Sequence, residues 1–402
     1  MRGFPCFIGC LKTISLSFLF SDTLSFPGWE PMRAEGDSQL IDFQIGDELE
    51  LVRNTALNYA DDHLRPALRE NESARTPGRA AEEAFAEIGF ATLEWPELDA
   101  ESGLGAVARY LVLEELAAAD PGAALALDPL GPALYPLMEL GGPDAVRDFG
   151  EPLLSSVGSR GLLVWNGAGA PRCLERKGNS WSGVVPWVPA DRADLVVVLD
   201  EEGASVVQQG IELERLRGSG LRTAGASELT LQSAPIAAEW SGADGASRAL
   251  ARARLYVAAL LVGVMRESAD YSRRYAMDRV AFGKPIAHHQ ALAFLIADMA
   301  IAVDSARILG LEAAWRLDTG RPGEEASATA FLEAAEQATF VTPNGVQILG
   351  GHGFMQDHPV EKFMREGRTL GLFFGGVDGA REDAARGMKA FPEEALLPLG
   401  AA

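Results

Sequence analysis

The sequence has 402 residues, of which 48% are hydrophobic and 23% charged, a composition that suits a large core or two to three domains and excludes a disordered chain. Lysine and arginine total 35 against 57 aspartate and glutamate, a net charge of -22. So acidic a surface repels phosphate backbones and anionic membranes, which argues against a nucleic-acid partner and demands a local basic pocket for any anionic ligand. The cysteines are Cys6, Cys10 and Cys173, without metal-ligand spacing, so no disulfide framework is expected and a reducing cytoplasm fits.

Residues 1–31 read differently from the rest. Arg2 precedes an apolar stretch from Phe4 to Phe20, broken by Lys12, that loosely imitates a signal peptide without a clean small-residue cleavage site. Met32 opens a polar lead-in, Arg33 to Gln39, and is the expected natural start, which makes 1–31 a non-native or disordered segment. No later run approaches the ~20 apolar residues of a membrane span.

Residues 32–155 are expected to form an N-terminal helical domain. Leu49, Leu51, Ala56 and Ala60 give an apolar face before Pro66, and Ala81 to Ile88 is a short helix ended by Gly89. Ala106 to Ala119 is a third helix, stopped by Pro121-Gly122. From 156 to 240 short β-branched runs separated by turn residues predict a middle, barrel-like β-domain, with strands at Val184 to Val188, Leu195 to Leu199, Ser205 to Val207 and Leu229 to Leu231. From 241 to 390 the helical period returns. Leu250, Ala253, Val257, Leu260 and Val264 share one stripe, and Leu295, Met299, Ala302, Ala306 and Leu309 another. Further helices at Gly323 to Val341 and Asp378 to Lys389 complete a C-terminal four-helix bundle, followed by a tail at 391–402. The fold class is mostly α with a β-domain.

Two segments carry the chemistry. The first runs Tyr275-Ala276-Met277-Asp278-Arg279-Val280-Ala281-Phe282-Gly283-Lys284-Pro285-Ile286, then His289-Gln290. The second is Gln347-Ile348-Leu349-Gly350-Gly351-His352-Gly353-Phe354, then Pro359-Val360-Glu361-Lys362 and Met364-Arg365. The Gly350-Gly351 pair lets the backbone approach a ligand closely, and the planar fork of Arg279 suits a diphosphate. The adjacent His288 and His289 diverge on a helix start, and no metal site is expected. Together the two segments closely resemble the signature regions of the acyl-CoA dehydrogenase family, and Ile88-Gly89-Phe90, Trp95-Pro96-Glu97 and Leu113-Glu114-Glu115-Leu116 agree with it.

The resemblance implies FAD as cofactor and an acyl-CoA substrate, with removal of an α proton and transfer of a β-hydride to the flavin. It implies that Arg279, Phe282, Gln290, Gln347, Gly350 and Gly351 contact the adenosine-diphosphate part of a cofactor held mainly by a neighbouring subunit. The family's basic glutamate, in a Tyr-Glu-Gly-Thr run, falls on Phe374 within Phe373-Phe374-Gly375-Gly376. Its alternative position falls on Ala253, before Arg254, the arginine that seats the thioester end of the substrate. Neither phenylalanine nor alanine accepts a proton, so no catalytic residue is assigned. The β-domain departs too: Val164 and Ala170 replace hydroxyl residues, and Pro189 replaces a threonine that faces the flavin. The expected function is therefore the non-catalytic half of a heteromeric acyl-CoA dehydrogenase, as in bacterial members that act on lipid or steroid side-chain thioesters. Its partners would be a homologous catalytic subunit, in a heterodimer or heterotetramer, and an electron-accepting flavoprotein. Two alternatives stand beside it. One is a self-sufficient homo-oligomeric enzyme with its base moved to Asp378 or Glu382; the other is a flavin-free scaffold or acyl-CoA-binding module.

Overall fold

A computed structural model describes residues 45–95 and 103–388. The segment 1–31, the start at Met32, the Pro96-Glu97 pair and the tail 391–402 lie outside the described residues. Helix α1 (Asp47–Tyr59) opens on Asp47, Glu48 and Glu50, which complement the positive end of its dipole, and runs on through a wide turn at Ala60–Leu64. It buries Ala56 and Ala60, but Leu51 is 68% exposed and does not belong to the expected apolar face. Helices α2 (Leu68–Ala74) and α3 (Arg79–Ile88) follow, the latter ended by Gly89 in the left-handed conformation, which glycine adopts without strain. Helix α4 (Gly105–Ala119) is buried almost all round. Its Glu114 and Glu115 pair with Arg266, and Glu114 also with Arg307. Pro121-Gly122 does not simply stop this helix. Asp120 accepts a hydrogen bond from the Ala123 amide and starts helix α5 (Pro121–Leu127), with proline at the first position, where its missing N–H is harmless. Short helical turns fill residues 131–154.

The middle domain is one curled sheet of seven strands, β1 (Gly161–Trp165), β2 (Leu174–Lys177), β3 (Ser180–Val188), β4 (Leu195–Leu199), β5 (Gly203–Val207), β6 (Ile211–Arg215) and β7 (Ser227–Ser241). Strands β1 and β4 run parallel and every other pairing is antiparallel. The sheet curls around β7, which pairs with β3 and β6 through its first half and with β5 through its second. Strand β4 explains its own unbroken Leu-Val-Val-Val-Leu run. Leu195, Val197 and Leu199 join the helical core, while Val196 and Val198 face the domain's own core, so both faces are buried.

Helix α6 (Ala243–Asp278) has 36 residues, about 54 Å at the standard rise. It packs against α4, α7 (Gln290–Asp318), α8 (Glu324–Leu349) and α9 (Val360–Leu370), and α8 also holds α10 (Gly376–Met388). Helix α8 continues past Val341 through Pro343. Proline cannot donate to the Thr339 carbonyl of the preceding turn, but packing on four neighbouring helices carries the helix through it. Helix α9, absent from the expected set, adds a shorter fifth element to the long helices. No helix among the described residues is long and apolar enough to cross a membrane.

Candidate functional site

Between the β-domain and the α9–α10 connection lies a cavity of about 550 Å³, within the ~300–1,000 Å³ of small-molecule sites. Strand β1 and the turn after it supply Val164, Trp165 and Ala170; β3 and its continuation supply Trp187 and Pro189; Leu372, Phe373 and Phe374 close the far side. The Trp187 and Phe373 rings meet edge to face at 5.8 Å, and Phe373 and Phe374 at 5.6 Å. The lining thus offers flat aromatic walls. Among the described residues it contains no aspartate, glutamate, histidine or lysine, and Cys173 and Arg217 are its only ionisable side chains.

Phe374 reaches this wall through a bend that only an unusual backbone makes. Phe374, Gly375 and Gly376 have φ of 51°, 87° and 60° in succession, and the first costs a non-glycine residue about 1–2 kcal/mol. Arg254 holds the bend: its Nε and Nη2 donate to the Phe374 carbonyl at 3.2 and 3.1 Å, and its Nη1 pairs with Asp383 at 2.5 Å. The glycines matter here, since a Cβ at Gly379 would come within 3.2 Å of that guanidinium. Burial pushes Arg254 below the usual arginine range, with Asp383 opposing. Arg254 is 2% exposed and is not among the residues lining the cavity, so it fastens the wall instead of facing the opening. Ala253 is fully buried in the helical core.

A second recess of about 480 Å³ adjoins the first and shares Ala170, Pro171, Leu372 and Gly375 with it. Asp378 lines this recess; its side chain is 92% exposed and lies 3.4 Å from Arg381. Glu382 is exposed on the next turn of α10.

The remaining residues singled out by the motifs gather at the other end of the bundle. Val280–Ala281 (β8) and Lys284–Pro285 (β9) form a hairpin whose two-residue turn, Phe282-Gly283, has positive φ at both positions (52° and 80°), as a type I′ turn requires. Phe282 is 96% exposed, so a strained backbone presents a bare aromatic ring. Arg279 stands just before the hairpin, exposed and without an ion-pair partner among the described residues, and Gln290 begins α7 just after it. The Tyr275 hydroxyl and His352 Nδ1 lie 2.8 Å apart, which sets the ends of α6 and α8 side by side. Gln347, Gly350 and Gly351 therefore join the hairpin, and nothing lies within 4 Å of a Cβ built on either glycine. Twenty-five residues separate Arg254 from Arg279, about 37 Å along α6.

Sequence reasoning missed a buried ionic hub where α9 meets the start of α5. Lys362 on α9, wholly buried, pairs with Asp120 at 2.8 Å and with Glu366, and Thr223 donates to the other Asp120 oxygen. Burial raises the Glu366 carboxyl to about 7, with Lys362 opposing. The Lys362–Glu366 spacing of four was a visible signal; the Asp120 partner, 242 residues away, was not.

Family models match both helical parts of the chain, the acyl-CoA dehydrogenase N-terminal domain at residues 46–156 and its C-terminal domain at 241–389. The chain is 27% identical over 356 residues to a mitochondrial short-chain specific acyl-CoA dehydrogenase of Mus musculus, covering 81% of this chain and 86% of the relative. It is 27% identical over 361 residues to a benzylmalonyl-CoA dehydrogenase of Aromatoleum aromaticum, covering 82% and 94%. Among solved structures, butyryl-CoA dehydrogenase from Megasphaera elsdenii has the same fold, with a TM-score of 0.76 at 22% identity over 87% of this chain and 100% of that one. A glutaryl-CoA dehydrogenase from Mycobacterium smegmatis, in complex with FADH2, gives 0.75 at 18% identity, over 87% and 97%.

Proposed function

This chain belongs to the acyl-CoA dehydrogenase family, and from that premise we propose that it serves FAD-linked α,β-dehydrogenation of acyl-CoA thioesters as the non-catalytic subunit of a heteromeric oxidoreductase. The observation that carries the reading is the lining of the 550 Å³ cavity, which among the described residues holds no carboxylate and no histidine. Removing a proton next to a thioester carbonyl needs a positioned base, and a carboxylate shielded from water is the family's means. Here Phe374 and Ala253 stand at the two positions the resemblance assigns to it.

The cavity suits a planar aromatic ring by size and by its Trp165, Trp187 and Phe373 walls. FAD, when bound, supplies the acceptor for the β-hydride. This chain would hold it weakly: Val164, Ala170 and Pro189 bring no hydroxyl, and Pro189 brings no N–H. The exposed groups at the other end of α6 are too distant to serve a cofactor in the same chain's cavity. In this reading Arg279, Phe282, Gln290, Gln347, Gly350 and Gly351 embrace the adenosine diphosphate of a cofactor seated in an adjoining homologous subunit. That subunit carries the base, and an electron-accepting flavoprotein receives the electrons. A cytoplasmic pathway of lipid or steroid thioester breakdown is the setting that fits.

One feature favours a second reading, a self-sufficient enzyme. Asp378 lines the recess that adjoins the cavity. Its exposure weakens the case, since a side chain 92% open to solvent is not held against a substrate shielded from water. Steady-state reduction of an artificial electron acceptor with a panel of acyl-CoA thioesters separates the two. The chain alone should turn over about 10²–10⁴-fold more slowly than its assembly with a homologous subunit bearing Tyr-Glu-Gly-Thr. Phe374→Glu should not rescue it, because the flavin-facing contacts stay absent. Robust turnover by the flavin-loaded chain alone would overturn the heteromeric reading.

A further inference from the structure

Away from both ends of α6, the chain holds a concentration of positive charge that its net charge of -22 makes conspicuous. A recess of about 420 Å³ opens where the α2–α3 connection meets the β-domain, lined by five arginines (75, 79, 160, 192 and 215) and only two carboxylates, Glu82 and Asp191. The arginines are not equivalent. Arg75 makes a two-pronged pair with Asp191, at 2.7 and 2.5 Å, and also donates to the carbonyls of Leu216 and Ala226, so it belongs to the framework. Arg79 turns to Glu83 at 2.6 Å. Arg215 reaches only the already engaged Asp191, at 3.4 Å, and Arg192 only Glu82, at 3.5 Å.

Arg160 has no carboxylate within 4.0 Å of its guanidinium among the described residues, yet it is only 6% exposed. Its Nη1 and Nη2 donate to the carbonyls of Asp128 and Pro189 at 3.2 and 3.4 Å, and its buried Nε has no hydrogen-bond partner among the described residues. The Asp128 carboxylate is committed to Arg109 and to the Tyr256 hydroxyl. Burial pushes the Arg160 guanidinium below its usual range, with Tyr256 and Asp128 opposing and Arg192 adding to the push. A buried cation with an empty donor and no carboxylate in direct contact is a costly arrangement unless an anion completes it. The surroundings supply what such an anion needs: two exposed, weakly paired guanidiniums beside the buried one, in a fork geometry that matches phosphate oxygens.

We propose that this recess is an anion site for a phosphate-bearing small molecule, held by Arg160 from within and by Arg192 and Arg215 from the surface. The volume admits a phosphate ester larger than the inorganic ion. The site is separate from the cofactor reading: it needs no flavin and no second subunit. Arg160 also touches Pro189, a wall residue of the aromatic cavity, so the two sites are neighbours. The phosphate could belong to a free phosphate ester or to the ribose 3′-phosphate of a CoA molecule.

The test is calorimetric titration of the full chain with inorganic pyrophosphate, then with CoA and dephospho-CoA. An Arg279→Ala background removes the other candidate phosphate contact. Saturable binding is expected, weakened about ten-fold or more by Arg160→Gln and by Arg192→Glu, the loss of one charge-assisted contact each. A preference for CoA over dephospho-CoA that disappears in Arg192→Glu assigns the phosphate to CoA; equal affinity assigns it to a free ester. Arg192 is exposed, so its variant folds and decides the matter even where Arg160→Gln does not. Absence of saturable pyrophosphate binding at millimolar concentration, or binding unchanged in both variants, overturns the proposal.

Discussion

Helix α6 carries Arg254 within it and Arg279 just past its last residue, and the fold treats the two as opposites. Arg254, in its first half, is buried, ion-paired with Asp383 and bonded to the Phe374 carbonyl. Arg279, at its end, is exposed and unpaired among the described residues, beside a bare Phe282 on a strained turn. A side chain whose hydrogen-bonding capacity is spent inside the protein builds a wall. One held in the open with its donors free is poised for a ligand or partner. The chain is thus aromatic and internally bonded at the cavity, and open at the hairpin, where Arg279 stands among the exposed side chains of Val280 and Phe282.

The comparison breaks most violently at the buried hub on α9. Replacing Lys362 with methionine leaves Asp120 and Glu366 buried without their cation, and should destabilise the chain by about 3–5 kcal/mol in denaturant unfolding. A loss below about 1 kcal/mol would show that the hub does not hold α9. Arg254→Ala should follow, at about 1–3 kcal/mol, because it removes both donors to the Phe374 carbonyl and frees the strained bend, while Asp383 keeps its pair with Arg386.

Glu366 sharpens the same contrast through pH. Its folded pKa is raised from 4.5 to about 7, so the neutral form is favoured in the native state. The associated stability is full below about pH 4.5 and is lost as pH rises through about 7. Melting temperatures of the wild type should therefore fall relative to those of Glu366→Gln between pH 5 and 8, by about 2–4 °C. Parallel curves would contradict the raised pKa. Arg279→Ala should have the smallest effect on folding, within about 0.5 kcal/mol, as befits an exposed unpaired side chain. In an assembly with a homologous subunit it should nonetheless weaken flavin retention about ten-fold or more. Unchanged flavin affinity there would remove Arg279 from the cofactor.

Much of the fold was legible because burial leaves a period in the sequence. The stripe from Leu250 to Val264 is one face of a central helix, and the unbroken run of β4 is a strand covered on both faces. Strands β2 and β6 were not legible, since Leu-Glu-Arg-Lys and Ile-Glu-Leu-Glu-Arg are largely exposed and read as loop. Helix α8 was cut short at Val341 because Pro343 is an ordinary stop signal, overridden here by packing. At the site, the absence of a proton acceptor at Phe374 and Ala253 could be read by counting along the motif. The engagement of Arg254 could not, because Asp383 lies 129 residues away. The arginine recess was equally hidden, assembled from segments that share no local pattern.

The central claim is that this chain has no base at the reacting carbon. Its most direct test is exchange of the α proton, measured by mass spectrometry after incubating acyl-CoA thioesters in deuterium oxide with the flavin-supplemented chain. Deuterium should enter the α position no faster than without protein, and rapidly once a homologous subunit bearing the family's glutamate is added. Catalysed exchange by this chain alone would contradict the account and place a working base at Asp378 in the adjoining recess or at Glu382 on the next turn of α10.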